Sequence, residues 1–362
     1  MRDDDALREE ASSRLRPFFN ALKTCDPYIK FAFITGVSRF RNTTLFSGAN
    51  NLRDITLESK FASLLGITHE EMLRYFKVGI DNLACEYGYT TEEAMEVLRN
   101  KYDGYRFSRR KEYVYNPFSL LNAMASGQLD DFWITSGTSK SLAKYLKGSK
   151  FSLEDLTNKW VSGNELGSTY NTHNPLSLFF QTGYLTISDF EYEAYRLGIP
   201  NQEVQKALAE LLIPEFVENA NTSDISEDLL TLRRSLSTGD VNTMMGIFKS
   251  LLASVPYHEI DTKTQEKHLH LCMYIIFMML GTDTKCELSH SSGRVDMVAE
   301  TPWRVYIFEF KIDKTPEEAL FQINNKGYAI KWEARGDRKV IKIGVNFASS
   351  LRNIDSWIVE EV

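Results

Sequence analysis

The sequence predicts a mixed α/β chain that ends in a compact α-β-β-β-α-β domain. Three observations predict it. The composition is globular, 43% hydrophobic and 25% charged, which excludes a disordered or collagen-like chain. At 362 residues the chain is long enough for two or three cores. Beyond Ser254-Val-Pro256, one apolar helical pattern is followed by three closely spaced strand patterns, a helix and a last strand.

Each element has its own reason. Residues 7–23 carry Leu7, Ala11, Leu15, Phe18, Phe19 and Leu22 on one helical stripe. Phe31 to Gly36 is a short apolar run ended by glycine, the pattern of a buried strand. From Leu57 to Leu98 the period is helical, with Thr68 and either Thr90 or Thr91 as N-caps before Glu-rich first turns. Residues 102–120 read as an aromatic hairpin followed by a helix, and Gly183 to Pro200 as two strands. A helix starts near Asn201, with Val204, Leu208, Leu211 and Leu212 on one face, and helices continue to about Leu252. The boundary at Ser254-Val-Pro256 divides the chain into 1–150, a mostly helical connecting region with a hairpin at 151–255, and 256–362. The last part reads as helix 265–281, strands 283–290, 294–300 and 303–311, helix 316–332 and strand 338–347.

Charge and cysteine usage exclude several classes. Forty-two Lys and Arg stand against 49 Asp and Glu, a net charge of −7, so the surface as a whole does not suit nucleic acid. Any phosphate-binding role belongs to a local patch. Residues 285–355 hold 12 basic and 10 acidic residues, with Arg335, Arg338, Lys339 and Lys342 grouped near the last strand. The four cysteines (Cys25, Cys85, Cys272, Cys286) have no CxxC or zinc spacing and read as buried, reduced thiols of a cytoplasmic protein. The start, MRDDDALREE, has no apolar leader pattern. The most apolar run, Leu271 to Leu280, is about half the length that spans a bilayer and reads as a buried helix, so no membrane association is expected. His268 and His270, two apart on a helix, face different ways and read as packing or surface residues, as does His290.

The chemistry sits in Gly293-Arg-Val-Asp296 and Ile307-Phe-Glu309-Phe-Lys311, separated by the turn Glu300-Thr-Pro-Trp303. A hairpin centred between Pro302 and Trp303 sets Asp296 across from Glu309, with Cβ atoms about 5 Å apart. Period-two geometry puts Glu309 and Lys311 on one face, and Tyr306, Phe308 and Phe310 on the other. Opposed carboxylates repel, and partial burial makes this worse. A divalent cation such as Mg²⁺ turns the liability into a site, and the lysine can orient a bound water or steady a phosphoryl oxygen. Glu287, on the preceding strand, is a candidate third acid. The competing interpretation is an edge hairpin with solvated charges, which the apolar flank Val305-Tyr-Ile-Phe disfavours.

This pattern resembles the PD-(D/E)XK nuclease superfamily, with its restriction-endonuclease-like core and D…(D/E)-x-K signature. The segments GRVDMVAET, VYIFEFKIDKTPEEALFQINNKGYA and KIGVNFASSLRNIDSW resemble the domain at the C-terminus of AAA-ATPase-like proteins of Bacteroidetes-type bacteria. The resemblance implies that Asp296 and Glu309 bind Mg²⁺ or Mn²⁺ and that Lys311 is catalytic. It also implies a supporting role for Gln322, at the start of the following helix, with Glu266 and Glu287 as further acidic candidates.

The N-terminal half is similar to the AAA-like part of the same proteins through FITGVSRF, SGANNLRDIT, KYDGYRF, YNPFSLL, FWITSGT and FQTGYLTI. It contains no GxxxxGK[ST], the turn that cradles phosphates, so the chain is expected to begin after the nucleotide-binding motifs, as an AAA-like remnant with a helical lid. Thr35 matches a sensor position with nothing to sense, and ATP hydrolysis by this chain alone is not expected. The resulting expectation is a metal-dependent phosphodiesterase acting on nucleic acid, DNA first. Its alternatives are a non-catalytic nucleic-acid or protein-binding module, and a subunit of an AAA-like assembly completed by a P-loop-containing partner.

Overall fold

A computed structural model describes residues 2–36, 52–133, 159–167, 176–216, 222–253, 273, 276–277, 280, 283–290 and 293–362. The chain forms two units, 1–204 and 205–362. No helix among the described residues is long and apolar enough to cross a membrane.

In the first unit, helix α1 (Arg2–Thr24) covers the expected stripe, yet Leu15 and Phe18 on it are exposed. The buried strand expected at Phe31 to Gly36 is not formed. That segment is irregular, with Phe31, Phe33 and Ile34 exposed. A strand needs neighbours for its N–H and C=O groups, and among the described residues no strand pairs with it.

The next helices start where their caps dictate. Strand β1 (Ile67–Thr68) leads into α2 (His69–Tyr75), then α3 (Lys77–Tyr87) and α4 (Thr91–Tyr102). Thr68 accepts the Glu71 N–H while the Glu71 carboxylate accepts the Thr68 N–H, and Thr90 and Glu93 repeat the arrangement. Thr90, not Thr91, is therefore the cap. Strand β2 (Val114–Tyr115) pairs with β1 and bridges Tyr105, and Asn116 caps α5 (Pro117–Ser126). These elements close over Met72, Ile80, Leu83, Leu98, Tyr102, Tyr115 and Leu120. Cys25 and Cys85 are free but exposed rather than buried; on α3 it is Ile80, Leu83 and Ala84 that turn inward, not Cys85. Cys272 and the Cys286 side chain lie outside the described residues.

Strand β3 (Trp160–Ser162), α6 (Gly163–Leu166), α7 (Leu176–Gln181), β4 (Thr186–Glu191) and β5 (Ala194–Gly198) follow. The strands form an antiparallel sheet in the order β3-β5-β4. The β4–β5 turn puts Tyr192 and Glu193 at φ +46° and +66°. Arg106, 1% exposed, donates to the carbonyls of Ser108, Arg109, Arg110 and Ser188, tying the aromatic hairpin to this sheet. Helix α8 (Gln202–Phe216) starts as expected, the Asn201 side chain accepting the Val204 N–H.

The second unit contains α9 (Thr222–Thr238), α10 (Val241–Ala253), β6 (Asp283–His290), β7 (Gly293–Glu300), β8 (Arg304–Ile312), α11 (Pro316–Lys326), α12 (Ile330–Glu333), β9 (Lys339–Ala348) and β10 (Asn353–Glu361). The five strands lie side by side in chain order, antiparallel except for β8 and β9, which α11 and α12 connect in parallel. On one face Val305, Ile307 and Val340 pack with Ile323, Tyr328 and Trp332. On the other, Phe308 meets Phe277 at 5.4 Å and Phe277 meets Phe248 of α10 at 5.3 Å, while the Tyr306 hydroxyl donates to the Leu236 carbonyl of α9. These contacts group α9 and α10 with the sheet; the 254–256 segment, expected as a boundary, lies outside the described residues.

Two further differences concern the end of the chain. Strand β10 lies beyond the expected elements; its Asn353, Asp355, Ser356 and Glu360 leave it without the continuous apolar run that marks β9. The single helix expected over 316–332 breaks at Gly327, whose φ of +64° ends α11 in a left-handed cap. Helix α11 is pressed onto β9 at Gly344, where an added Cβ would lie 2.2 Å from the Pro316 carbonyl oxygen and 2.7 Å from the Leu320 nitrogen. Both are main-chain atoms that cannot rotate away. Gly344→Ala should therefore destabilise the second unit by about 1–3 kcal/mol, read as a lower midpoint in chemical denaturation.

Candidate active site

The β7–β8 hairpin takes the register the turn implies, with Glu300 opposite Val305 and Met297 opposite Phe308. The main-chain ladder stops there, one step short of Asp296 and Glu309. In its place the Asp296 side chain bridges the strands, Oδ2 accepting the Phe310 N–H at 2.8 Å. Beyond this point β8 stays paired only on its other side, with Glu309 opposite Gly344 and Lys311 opposite Asn346 of β9. Two acids and a lysine thus gather where two strands part.

Alternation along β8 divides its side chains as expected. Phe308 and Phe310 stack on the aromatic face with centroids 6.0 Å apart. Glu309 and Lys311 share the opposite face, where Lys311 Nζ donates to Glu309 Oε1 at 2.7 Å. Glu309 is 1% exposed, and its Oε2 is buried with no hydrogen-bond partner. Burial, then the negative charge of Asp296, push the Glu309 carboxyl up to about 7, against the opposing pull of Lys311 and of the Asp296 main-chain N–H.

The donor chemistry fits a hard divalent cation. Two carboxylates converge, and one buried oxygen lacks any donor, as a metal-facing oxygen would. Among the described residues no group of three or more His, Cys, Asp or Glu side chains gathers. Two carboxylates with retained waters are nevertheless an ordinary complement for Mg²⁺. The pairs Cys286–Met297 and Leu288–Val295 put Glu287 at the register position opposite Asp296. The side chains of Glu287 and His290, and all of Glu266, His268 and His270, lie outside the described residues.

Gln322 falls in the middle of α11 rather than at its start, with Nε2 3.5 Å from the Tyr328 hydroxyl, and it lines a groove together with Lys311. Of the basic residues grouped near the last strand, Arg338, Lys339 and Lys342 are ion-paired rather than left facing solvent as a phosphate patch. Arg338 pairs with Glu300, Lys339 with Glu361, and Lys342 with both Glu333 and Glu360, so their charge is largely neutralised.

Asn346 belongs to the site without any motif that marks it. It is 6% exposed beside Lys311, and its Oδ1 accepts the Lys314 N–H at 3.0 Å, holding the turn between β8 and α11. The same turn is fixed by Asp313, at φ +52°, whose carboxylate accepts from the Ser349 N–H and hydroxyl. The available signal was a lone amide in the apolar strand Val340 to Ala348.

The buried acid has a measurable consequence. Its carboxyl is raised above the ordinary value of 4.5, so folding favours the protonated form. Its contribution to metal-free stability is full below about pH 4.5 and is lost as pH rises through about 7. Glu309→Gln should flatten this fall. Thermal melts in EDTA at pH 5 and pH 8 should show wild type losing more stability than the variant, and parallel losses would contradict the account.

Comparison with known proteins agrees with this architecture. A family model for the PD-(D/E)XK nuclease superfamily matches residues 264–357, and one described as predicted AAA-ATPase matches residues 1–46. An uncharacterised protein in the vnfD 5′ region of Azotobacter chroococcum mcd 1 is 31% identical over a 371-residue alignment covering 98% of this chain and 68% of the relative. No solved structure matches. With both segments in the expected order and similarity along nearly its whole length, the chain belongs to the family that joins an AAA-ATPase-like N-terminal segment to a C-terminal PD-(D/E)XK nuclease superfamily domain.

Proposed function

We propose that the C-terminal unit is a Mg²⁺- or Mn²⁺-dependent phosphodiesterase acting on nucleic acid, with DNA as the first substrate to test. The observation that carries this reading is Glu309, a carboxylate 1% exposed with one oxygen on Lys311 and the other without a partner, beside the charge of Asp296. A fold that buries such a group at the parting of two strands gains little unless a cation completes it.

Asp296 and Glu309 are the metal ligands in this reading, with Glu287 a third acid by register. A bound divalent cation supplies a water of lowered pKa and a counter-charge for the phosphoryl group. Lys311 holds Glu309 in place and presents an ammonium to the attacking water or a phosphoryl oxygen. Gln322 supports the same wall. The N-terminal unit serves as scaffold or partner surface, a P-loop-containing protein being one candidate partner, and the protein works in the cytoplasm.

The test is conversion of supercoiled plasmid to nicked circles by the full chain. Cleavage with Mg²⁺ or Mn²⁺ that stops in EDTA is the expected result. No cleavage with either metal would favour a non-catalytic binding module.

A further inference from the structure

Beside Lys311, helix α11 walls an open groove of about 480 Å³ whose lining includes Lys314, Phe321, Gln322, Asn325 and Lys326. Phe321 is 69% exposed, while Ala319 and Ile323 of the same helix are fully buried. A large ring held out on a regular helix, among ammonium groups, is matched to a flat and anionic partner. The groove also has two acids, Glu317 and Glu318, the second 3.9 Å from Lys314. Its lining holds three lysines and these two acids, with Lys311 already paired to Glu309, so Lys314 and Lys326 are the ammonium groups that follow the groove away from the acids of β7 and β8.

We propose that this groove seats an unpaired nucleic-acid strand, with a base stacked on Phe321 and phosphates on Lys314 and Lys326, leading the strand to Lys311. This rests on the phosphodiesterase reading for its substrate class and adds the strandedness. Within a duplex each base face is covered by its neighbours, so only an unstacked base can offer its face to Phe321. Lysines along the groove follow the backbone without reading sequence. A peptide segment on the same ring would not call for lysines spaced along the groove.

The experiment is fluorescence anisotropy of the full chain in EDTA with a labelled oligothymidylate and with a duplex of equal length. Wild type should prefer the single strand. Phe321→Ala should weaken that binding about ten-fold or more, and Phe321→Tyr should restore it. Melting temperatures should stay unchanged, because the ring is largely exposed. Lys326→Ala should reduce the salt dependence of binding. Equal affinity of Phe321→Ala and wild type for the strand, preference for the duplex, or no binding of either would overturn the proposal. Because cleavage is absent in EDTA, a strand held through Phe321 by a protein that never cuts supports the groove and fails the phosphodiesterase reading alone. Lys311-dependent cutting with unaltered Phe321→Ala binding fails the groove alone.

Discussion

Lys311→Ala should lower nucleic-acid cleavage by about 10²–10³-fold while leaving divalent-cation binding nearly intact at pH 8. The ammonium is no ligand, so its removal subtracts no donor from the cation. It does remove the ammonium that donates to Glu309 Oε1 at 2.7 Å, from a carboxylate that is otherwise buried. In the metal-free variant Glu309 should therefore hold its proton to higher pH, which is why the comparison belongs above neutrality. Plasmid nicking beside Mn²⁺ calorimetry separates the two effects. A variant that nicks as fast as wild type removes Lys311 from the chemistry.

Asp296 should behave differently. Asp296→Ala is expected to lose both cation binding and cleavage, because without the carboxylate between Glu287 and Glu309 too little charge converges for a hard cation that dehydrates reluctantly. Its stability cost is small because two effects oppose each other. Relief of repulsion on Glu309 favours the variant, and loss of the acceptor for the Phe310 N–H costs about 1 kcal/mol. Asp296→Asn keeps an acceptor at that position and removes only the charge. It should stay folded and still bind no metal, measured by thermal melt and calorimetry. Undiminished Mn²⁺ binding by both variants would remove Asp296 from the ligand set.

Much of this arrangement was legible in the residues. The turn at Pro302-Trp303 fixed a register that the β7–β8 ladder follows from Glu300–Val305 to Met297–Phe308. Period-two alternation then assigned Glu309 and Lys311 to one face and the phenylalanines to the other. The caps at Thr68 and Thr90 were readable because a threonine followed three residues later by glutamate satisfies two N–H groups at once.

What escaped depends on contacts that sequence patterns do not carry. Phe31 to Gly36 has a strand's composition, but a strand exists only with a neighbour. Strand β10 is a polar edge strand whose pairing with β9 supplies its order. Asn346 matters through the Lys314 N–H, a main-chain partner brought near by the crossover from β8 to β9. The stop of the ladder before Asp296 could not be read either, since composition does not say where two strands part.

The central claim is that Asp296 and Glu309 share a cation at the parting of β7 and β8. Its most direct test is Mn²⁺ titration by calorimetry of the full chain at pH 8, for wild type and Asp296→Asn. The account predicts saturable binding to wild type and none to the variant, which should melt no lower than wild type in EDTA. Wild type that takes up no Mn²⁺, or a variant that binds it as tightly as wild type, would contradict it.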